Sequence, residues 1–465
     1  MPGAAGSERS APVSRPAPPL PHGVPNLNLG QARAPLFEVT LQVVTPMFGG
    51  GAAPGVVDPL HPVRGGSVRG HLRFWWRACN AHRWPTPQAL FDDEAAIWGQ
   101  TAASNRPGAP SAIDVEVEID KTGEPQPKEQ PHSKQWMDDE FGYPSYALFP
   151  FQRQNNPPRP PSKAQIGVAF TVRLSVAHRS PPLDHQQLEK AAEAALWAWI
   201  TFGGVGARTR RGCGALWCTD SQFSPSSVET ASEWLAERTE RCVNAASAPD
   251  SLPLPLIRGS RVLLAADADT PVVAWSRSVA EMQAFRQGKG VGRRSGRDES
   301  RPRKLGQSYW PEADSIRDVA RTYSRGHEPR HQAIRYFPRA EFGLPIVFHF
   351  IDAERGDPGN HTLEIAREKT ARLASPFVLK PLMMTSGRAV PMIALLETPR
   401  LHELGLPLHL KGPDGPPTPV MVPDDVFVTA KAKDVPPLAA VDADDPREGL
   451  LRFVEHRWHV TRMVL

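Results

Sequence analysis

Cysteine is scarce. Cys79, Cys213, Cys218 and Cys242 are too few to make a disulfide framework in a chain of 465 residues, and they fit a reducing cytoplasm. Cys213 and Cys218 have no second Cys or His pair beside them, which argues against a zinc site. No apolar run is long enough to cross a bilayer, and no signal-peptide core is visible. A large charge imbalance is also missing. The formal net charge is only +4, so the chain as a whole is not a polycation. Two nucleotide fingerprints are absent. No Gly-Lys-Ser/Thr completes a Walker A loop, and the stretch Gly204-Val205-Gly206 has no third glycine of a dinucleotide site. The expectation is a protein with no cofactor and no metal site.

What is present is local. Residues Phe202-Gly203-Gly204-Val205-Gly206-Ala207-Arg208-Thr209-Arg210-Arg211-Gly212-Cys213-Gly214 combine five glycines with three arginines and no acid. Such a backbone bends freely and approaches a ligand closely, and its cations suit a polyanion, with RNA the natural candidate. The plain alternative is a flexible surface hairpin. Most basic residues are arginine, the side chain that binds phosphate bidentately and stacks on bases.

Residues 1–34 are crowded with proline and read as a disordered tail. Order should begin near Pro35. Phe37, Val39, Leu41 and Val43 alternate with polar residues and predict a half-buried strand. A Gly- and Pro-rich loop, Thr45 to Gly66, leads to a helix that should start with Ser67 as its cap. On that helix Leu72, Trp76 and Cys79 share one face. Arg69, Arg73 and Arg77 share another, at intervals of four. The arginine row would contact RNA or a neighbouring subunit; the alternative is a solvated face. Trp75 and Trp76 are adjacent, so at most one can face RNA, and Trp76 belongs with the apolar stripe.

Residues 113–119 and 168–176 alternate as two more strands, separated by a polar, proline-rich insertion and the segment 143–149. Asp184 to Ile200 predicts a long helix, and Ala215-Leu216-Trp217 a short last strand. The order strand, helix, strand, strand, helix, strand is that of a ferredoxin-like or RRM-like domain, whose open sheet face is a common RNA platform. This first domain spans 35–222. Residues 223–253 read as a linker with a helix from Ala231 to Val243. A second domain, 254–465, opens with the apolar runs 261–264 and 272–275. Its densest basic cluster runs from Arg286 to Lys304 and includes Arg293, Arg294 and Arg297, three further candidate RNA contacts. Strands are expected at 345–350 and 391–396.

Several of these stretches resemble one family. Thr45-Pro46-Met47-Phe48-Gly49-Gly50-Gly51, then Asp58, then Pro62 through Ala78 with its Leu72-Arg73-Phe74-Trp75-Trp76-Arg77 string, are similar to the amino-terminal signature of RAMP proteins. The closest likeness is to the first RAMP subunit of the type III-B CRISPR effector, the Cmr complex. The loop at 203–214 resembles the glycine-rich loop that RAMP proteins carry before their last strand. Tyr309 to Arg317 and Arg372 to Pro381 resemble that subunit's second half. The likeness runs in order over roughly residues 36 to 400, and the proline-rich tail and the insertion near Pro125 to Pro131 lie outside it.

The resemblance implies an α+β protein with two ferredoxin-like (RRM-like) RAMP domains in tandem, interrupted by long insertions. It implies a non-catalytic, RNA-binding subunit at the end of the complex distal to the crRNA 5′ tag. Its partners would be crRNA, target RNA and the other RAMP subunits. Gly203, Gly204, Gly206, Gly212 and Gly214 would shape the loop. Arg208, Arg210 and Arg211 would contact phosphates, and Arg64, Arg69, Arg73 and Arg77 would contact RNA or a neighbouring subunit. The rival class is an enzyme, because some RAMP proteins are metal-independent endoribonucleases that process crRNA. His61 or His71 near the basic helix, or Asp58, would then be the residues to suspect. The alternatives are a turn-capping Asp58 and an ordinary helix histidine at 71.

Overall fold

The computed structural model describes residues 34–51, 55–104, 106–127, 141–155, 158–177, 183–244, 252–294, 307–329, 336–350, 353–366, 372–413 and 415–465. The expected tail, most of the insertion after Pro125, and Arg297 with the rest of its basic cluster lie outside them. Pro35–Leu465 forms one compact unit.

The chain begins with β1 (Phe37–Val43), whose alternation buries Val39, Leu41 and Val43. Helix α1 (Gly65–Asn80) follows, inserting Val68, Leu72, Trp75, Trp76 and Cys79 into the core. Ser67 does not cap it. The Ser67 N–H already bonds to the Arg64 carbonyl at 2.9 Å, so the helix starts two residues earlier, at Gly65, with no side-chain cap. Helix α2 (Pro87–Trp98) is capped by Thr86 with proline at its first position. Then come β2 (Ile113–Lys121), β3 (Ala169–Val176), α3 (His185–Phe202) and β4 (Leu216–Trp217). Asp184 and Gln187 form a capping box at the start of α3. The antiparallel strand order is β2-β3-β1-β4, the ferredoxin-like arrangement. Helix α4 (Val228–Cys242) packs on α3 through Ala231 and Leu235, and its buried Arg238 meets Glu193 at 2.9 Å.

The second half repeats the plan. Strand β5 (Leu256–Leu264) is followed by α5 (Pro271–Gln287), so residues 272–275 are the first turn of a helix capped by Thr270. Helix α6 (Glu312–Ala320), β6 (Ile346–Phe348) and β7 (His361–Ile365) precede β8 (Phe377–Met383) and β9 (Ala389–Glu397). Strands β10 (Leu408–Lys411) and β11 (Thr418–Val420), helix α7 (Pro446–Trp458) and β12 (Met463–Val464) complete it. The sheet order β8-β9-β5-β12 is a second ferredoxin-like arrangement. A third antiparallel sheet, β6-β7-β10-β11, has its own core of Leu344, Phe348, Leu363, Leu408 and Leu410. It is assembled from two insertions: one lies between α5 and β8, the other between β9 and α7. One apolar cluster runs from Leu41 and Leu72 in the first half to Val262, Val390 and Met392 in the second, so the two halves share a core.

Candidate nucleic-acid interface

The loop between α3 and β4 is fixed, not floppy. The Thr45 hydroxyl donates to the Gly212 carbonyl at 2.6 Å and accepts from the Ala215 N–H at 2.8 Å. The Ala207 N–H bonds to the Phe48 carbonyl at 2.7 Å, and Gly214 N–H to that of Pro46 at 3.1 Å. Gly206, Gly212 and Gly214 have positive φ, and a Cβ on Gly214 would fall 2.0 Å from the Val205 carbonyl oxygen. Only glycine fits there. Gly203, Gly204, Gly212 and Gly214 are buried, so they shape the loop from within and do not present its surface.

The loop's arginines divide by position. Arg208, in the left-handed region, is exposed. Arg210 donates to the Ser375 carbonyl and lies 5.6 Å above the Phe74 ring. Arg211 donates to the Phe342 carbonyl at 3.4 Å, while its own carbonyl accepts from Trp275 Nε1 at 2.5 Å. Burial lowers both guanidiniums to about 10, which leaves them charged at neutral pH. The loop therefore bridges the halves of the molecule as well as carrying charge. No carboxylate pairs with any of the three among the described residues.

The α1 arginine row is split. Arg73 Nε and Arg77 Nη1 both donate to Oε1 of buried Glu94 on α2, each at 2.6 Å. Nothing in the spacing of the row revealed that partner, which lies 17 residues beyond Arg77. Arg69 is half-buried with no acid partner among the described residues, and Arg64 is exposed, reaching the Gly50 carbonyl. Trp75 and Trp76 are both buried, so neither is available to stack on a base.

The open face of the first sheet corrects one expectation. Register places Glu38 and Glu116 on either side of Arg173, with Glu118 opposite Thr171 and Asp114 opposite Ser175. Glu38, Asp114, Glu116, Glu118 and Asp120 are all exposed. Arg173 is engaged, at 3.3 Å from Glu38 and 2.8 Å from Glu118. With five exposed acids against the paired Arg173 and the edge residue Lys121, this face is net acidic and disfavours phosphate, unlike the open face of an RRM-like RNA platform.

Residues 40–217, from β1 to β4, match the model of the RAMP superfamily. They carry a RAMP domain. Among curated proteins no sequence matches this chain. The crystal structure of Cmr1 from Pyrococcus furiosus in its apo form is similar at 15% identity and a TM-score of 0.40, over 78% of this chain and 88% of that one. A chain in the cryo-EM structure of the type III-B Cmr-beta bound to cognate target RNA is similar at 12% identity and 0.44, over 79% and 96%. A second Cmr-beta structure, with cognate target RNA, AMPPnP and single-stranded DNA, gives 14% and 0.41, over 78% and 95%.

Within the RAMP domain, two of the three residues suspected of catalysis, Asp58 and His71, are engaged otherwise. Asp58 accepts the N–H groups of Leu60 and His61, each at 3.0 Å, and these bonds hold its carboxyl below the usual range. That is a turn cap. His71 stacks on Trp199 with ring centroids 5.7 Å apart, and burial lowers its pKa, so it is neutral. His61 is exposed. Beyond the RAMP domain, the basic segment after α5 is described as far as Arg294. Arg294 lies 5.7 Å above the Tyr309 ring, and Arg293 is half-buried. Two groups escaped the sequence reading, one buried and one half-buried. Lys380 Nζ donates to the Ile200 carbonyl at 2.7 Å and the Gly203 carbonyl at 3.0 Å, at the end of α3. Tyr146 sits in the short helix Ser145–Leu148, beside Arg286. Both interactions span more than a hundred residues, and no local pattern encodes them.

Proposed function

We propose that this chain is a non-catalytic RNA-binding subunit of a type III-B CRISPR RNA-guided effector complex. It sits at the end distal to the crRNA 5′ tag, helps to hold crRNA, and captures complementary target RNA. The RAMP domain supports the class. The observation that carries the RNA-binding role is the arginine set 208, 210 and 211, held on a pinned loop with no carboxylate partner among the described residues. Cations held without acids favour phosphate, and backbone contact of this kind positions a strand without reading its sequence. Exposed Arg64 and half-buried Arg69 extend the positive surface, while the acidic sheet face turns RNA away.

The test uses Arg64, Arg69 and Arg208, because Arg210 and Arg211 also bond to carbonyls of the second half. Purified protein and the R64A/R69A/R208A variant are titrated with labelled single-stranded RNA at two salt concentrations, with and without divalent metal. The variant should bind more weakly, and its log–log salt slope should fall by about one for each phosphate that is no longer neutralised. An unchanged slope overturns the assignment of these residues. Specific RNA cleavage that disappears in D58A or H61A overturns the non-catalytic reading.

A further inference from the structure

At the seam between the two halves, guanidinium groups converge on one phenol. Arg286 Nη1 donates to the Tyr146 hydroxyl at 2.8 Å and lies 5.5 Å above the Phe342 ring. Arg211 approaches the same Phe342 through its carbonyl. Arg208, Arg211 and Arg293 all lie within electrostatic reach of Tyr146, and Arg211 is repelled by Arg286, Arg208 and Arg210. Three separate segments thus bring like charges together: the 203–214 loop, α5 and the turn after it. Arg211 Nη1 and Arg286 Nε are shielded from solvent and have no acceptor among the described residues. Charged donors left without an acceptor are costly, and an anion relieves both that cost and the mutual repulsion.

We propose that this seam holds the terminal phosphomonoester of an RNA strand. The assignment rests on the RNA-binding reading and narrows it. A groove that tracks a nucleic-acid backbone spaces its cations along the strand, one diester charge at a time. Here one guanidinium is bonded to the Tyr146 hydroxyl and three more lie within its electrostatic reach. A phosphomonoester brings roughly −1.5 to −2 of charge and three acceptor oxygens there, against −1 for a diester linkage. The Tyr146 hydroxyl adds a neutral donor to the guanidiniums.

The experiment compares one single-stranded RNA in three forms: 5′-phosphate, 3′-phosphate and hydroxyl at both ends. Binding of each to the full chain is read by fluorescence anisotropy, with the dye placed internally. One phosphorylated form should bind at least about tenfold tighter than the hydroxyl form, the effect of one charge-assisted hydrogen bond. The advantage should vanish in R208Q/R293Q and in R286M; Y146F should keep part of it. Inorganic pyrophosphate should raise the Tm of the wild type and leave that of R208Q/R293Q unmoved. Equal affinity for the three RNAs overturns the end-recognition proposal and leaves the RNA-binding reading standing. No binding of any RNA overturns both, and a pyrophosphate-induced Tm rise without RNA binding overturns the assignment to an RNA end.

Discussion

Lys380 offers a measurement in which the sign is as informative as the size. It lies on β8, fully buried, and its ammonium donates to the last carbonyls of α3, at Ile200 and Gly203. Burial lowers its pKa from 10.5 to about 7. A lysine whose pKa is depressed in the fold binds fewer protons there than in the unfolded chain between about pH 7 and 10.5. Stability therefore rises with pH across that window, and the burial penalty is fully present below about pH 7. Lys380→Met removes both the penalty and the two hydrogen bonds. The orphaned carbonyls cost about 1–3 kcal/mol each. At pH 6 the relieved penalty offsets this, so the variant should be close to wild type. At pH 9 the wild-type amine is neutral but still donates. Two pH units above 7 then shift the balance toward wild type by about 2.7 kcal/mol, at 1.36 kcal/mol per unit. Denaturant unfolding of both proteins at pH 6 and pH 9 reads the difference directly, with other titrating groups cancelling. A stability difference that is the same at both pH values would refute the reasoning.

Three further substitutions, one of them a control, test the packing around the site. Gly212→Ala should cost about 3 kcal/mol, combining left-handed strain with overpacking, because its Cβ would fall 2.4 Å from the Leu379 carbonyl oxygen and from Trp275 Cδ1 at φ +82°. Gly70→Ala is the control. It is exposed inside α1 with nothing within 4 Å, so thermal melts should show a gain of about 0.5–1 kcal/mol. Glu94→Ala should cost about 1–2 kcal/mol in denaturant unfolding, discounted because Arg73 and Arg77 keep 26% and 30% of their side-chain exposure. In the Glu94→Ala/Arg73→Ala double variant the loss should fall short of the sum of the two singles.

The first ferredoxin-like unit was legible because its signals are local. Alternation in 37–43, 113–119 and 168–176 marked the strands, and Asp184 announced α3. The glycine-rich loop was legible as a special backbone for the same reason, since positive φ is written in glycine. Its role as a bridge was not, because Ser375, Phe342 and Trp275, which hold it, lie 64 to 165 residues away. The arginine row on α1 is helical in pattern, but Glu94 on the next helix decides which of its members are free. The alternating acids of 113–120 were visible as a strand. Their sign became informative only once β1 and β3 were placed beside them. Residues 272–275 show the reverse case: a β-rich tetrapeptide became helix because Thr270 caps it and Pro271 starts it.

The third sheet draws two strands from each of two insertions, and each pair alone would be an isolated hairpin, marginal at best in water. Losing β6 and β7 would strip β10 of its inner neighbour and bare the apolar side chains of Leu408 and Leu410; losing β10 and β11 would do the same to Leu363. The two insertions, parted in sequence only by β8 and β9, therefore form one stability unit: deleting either should unravel the strands of the other.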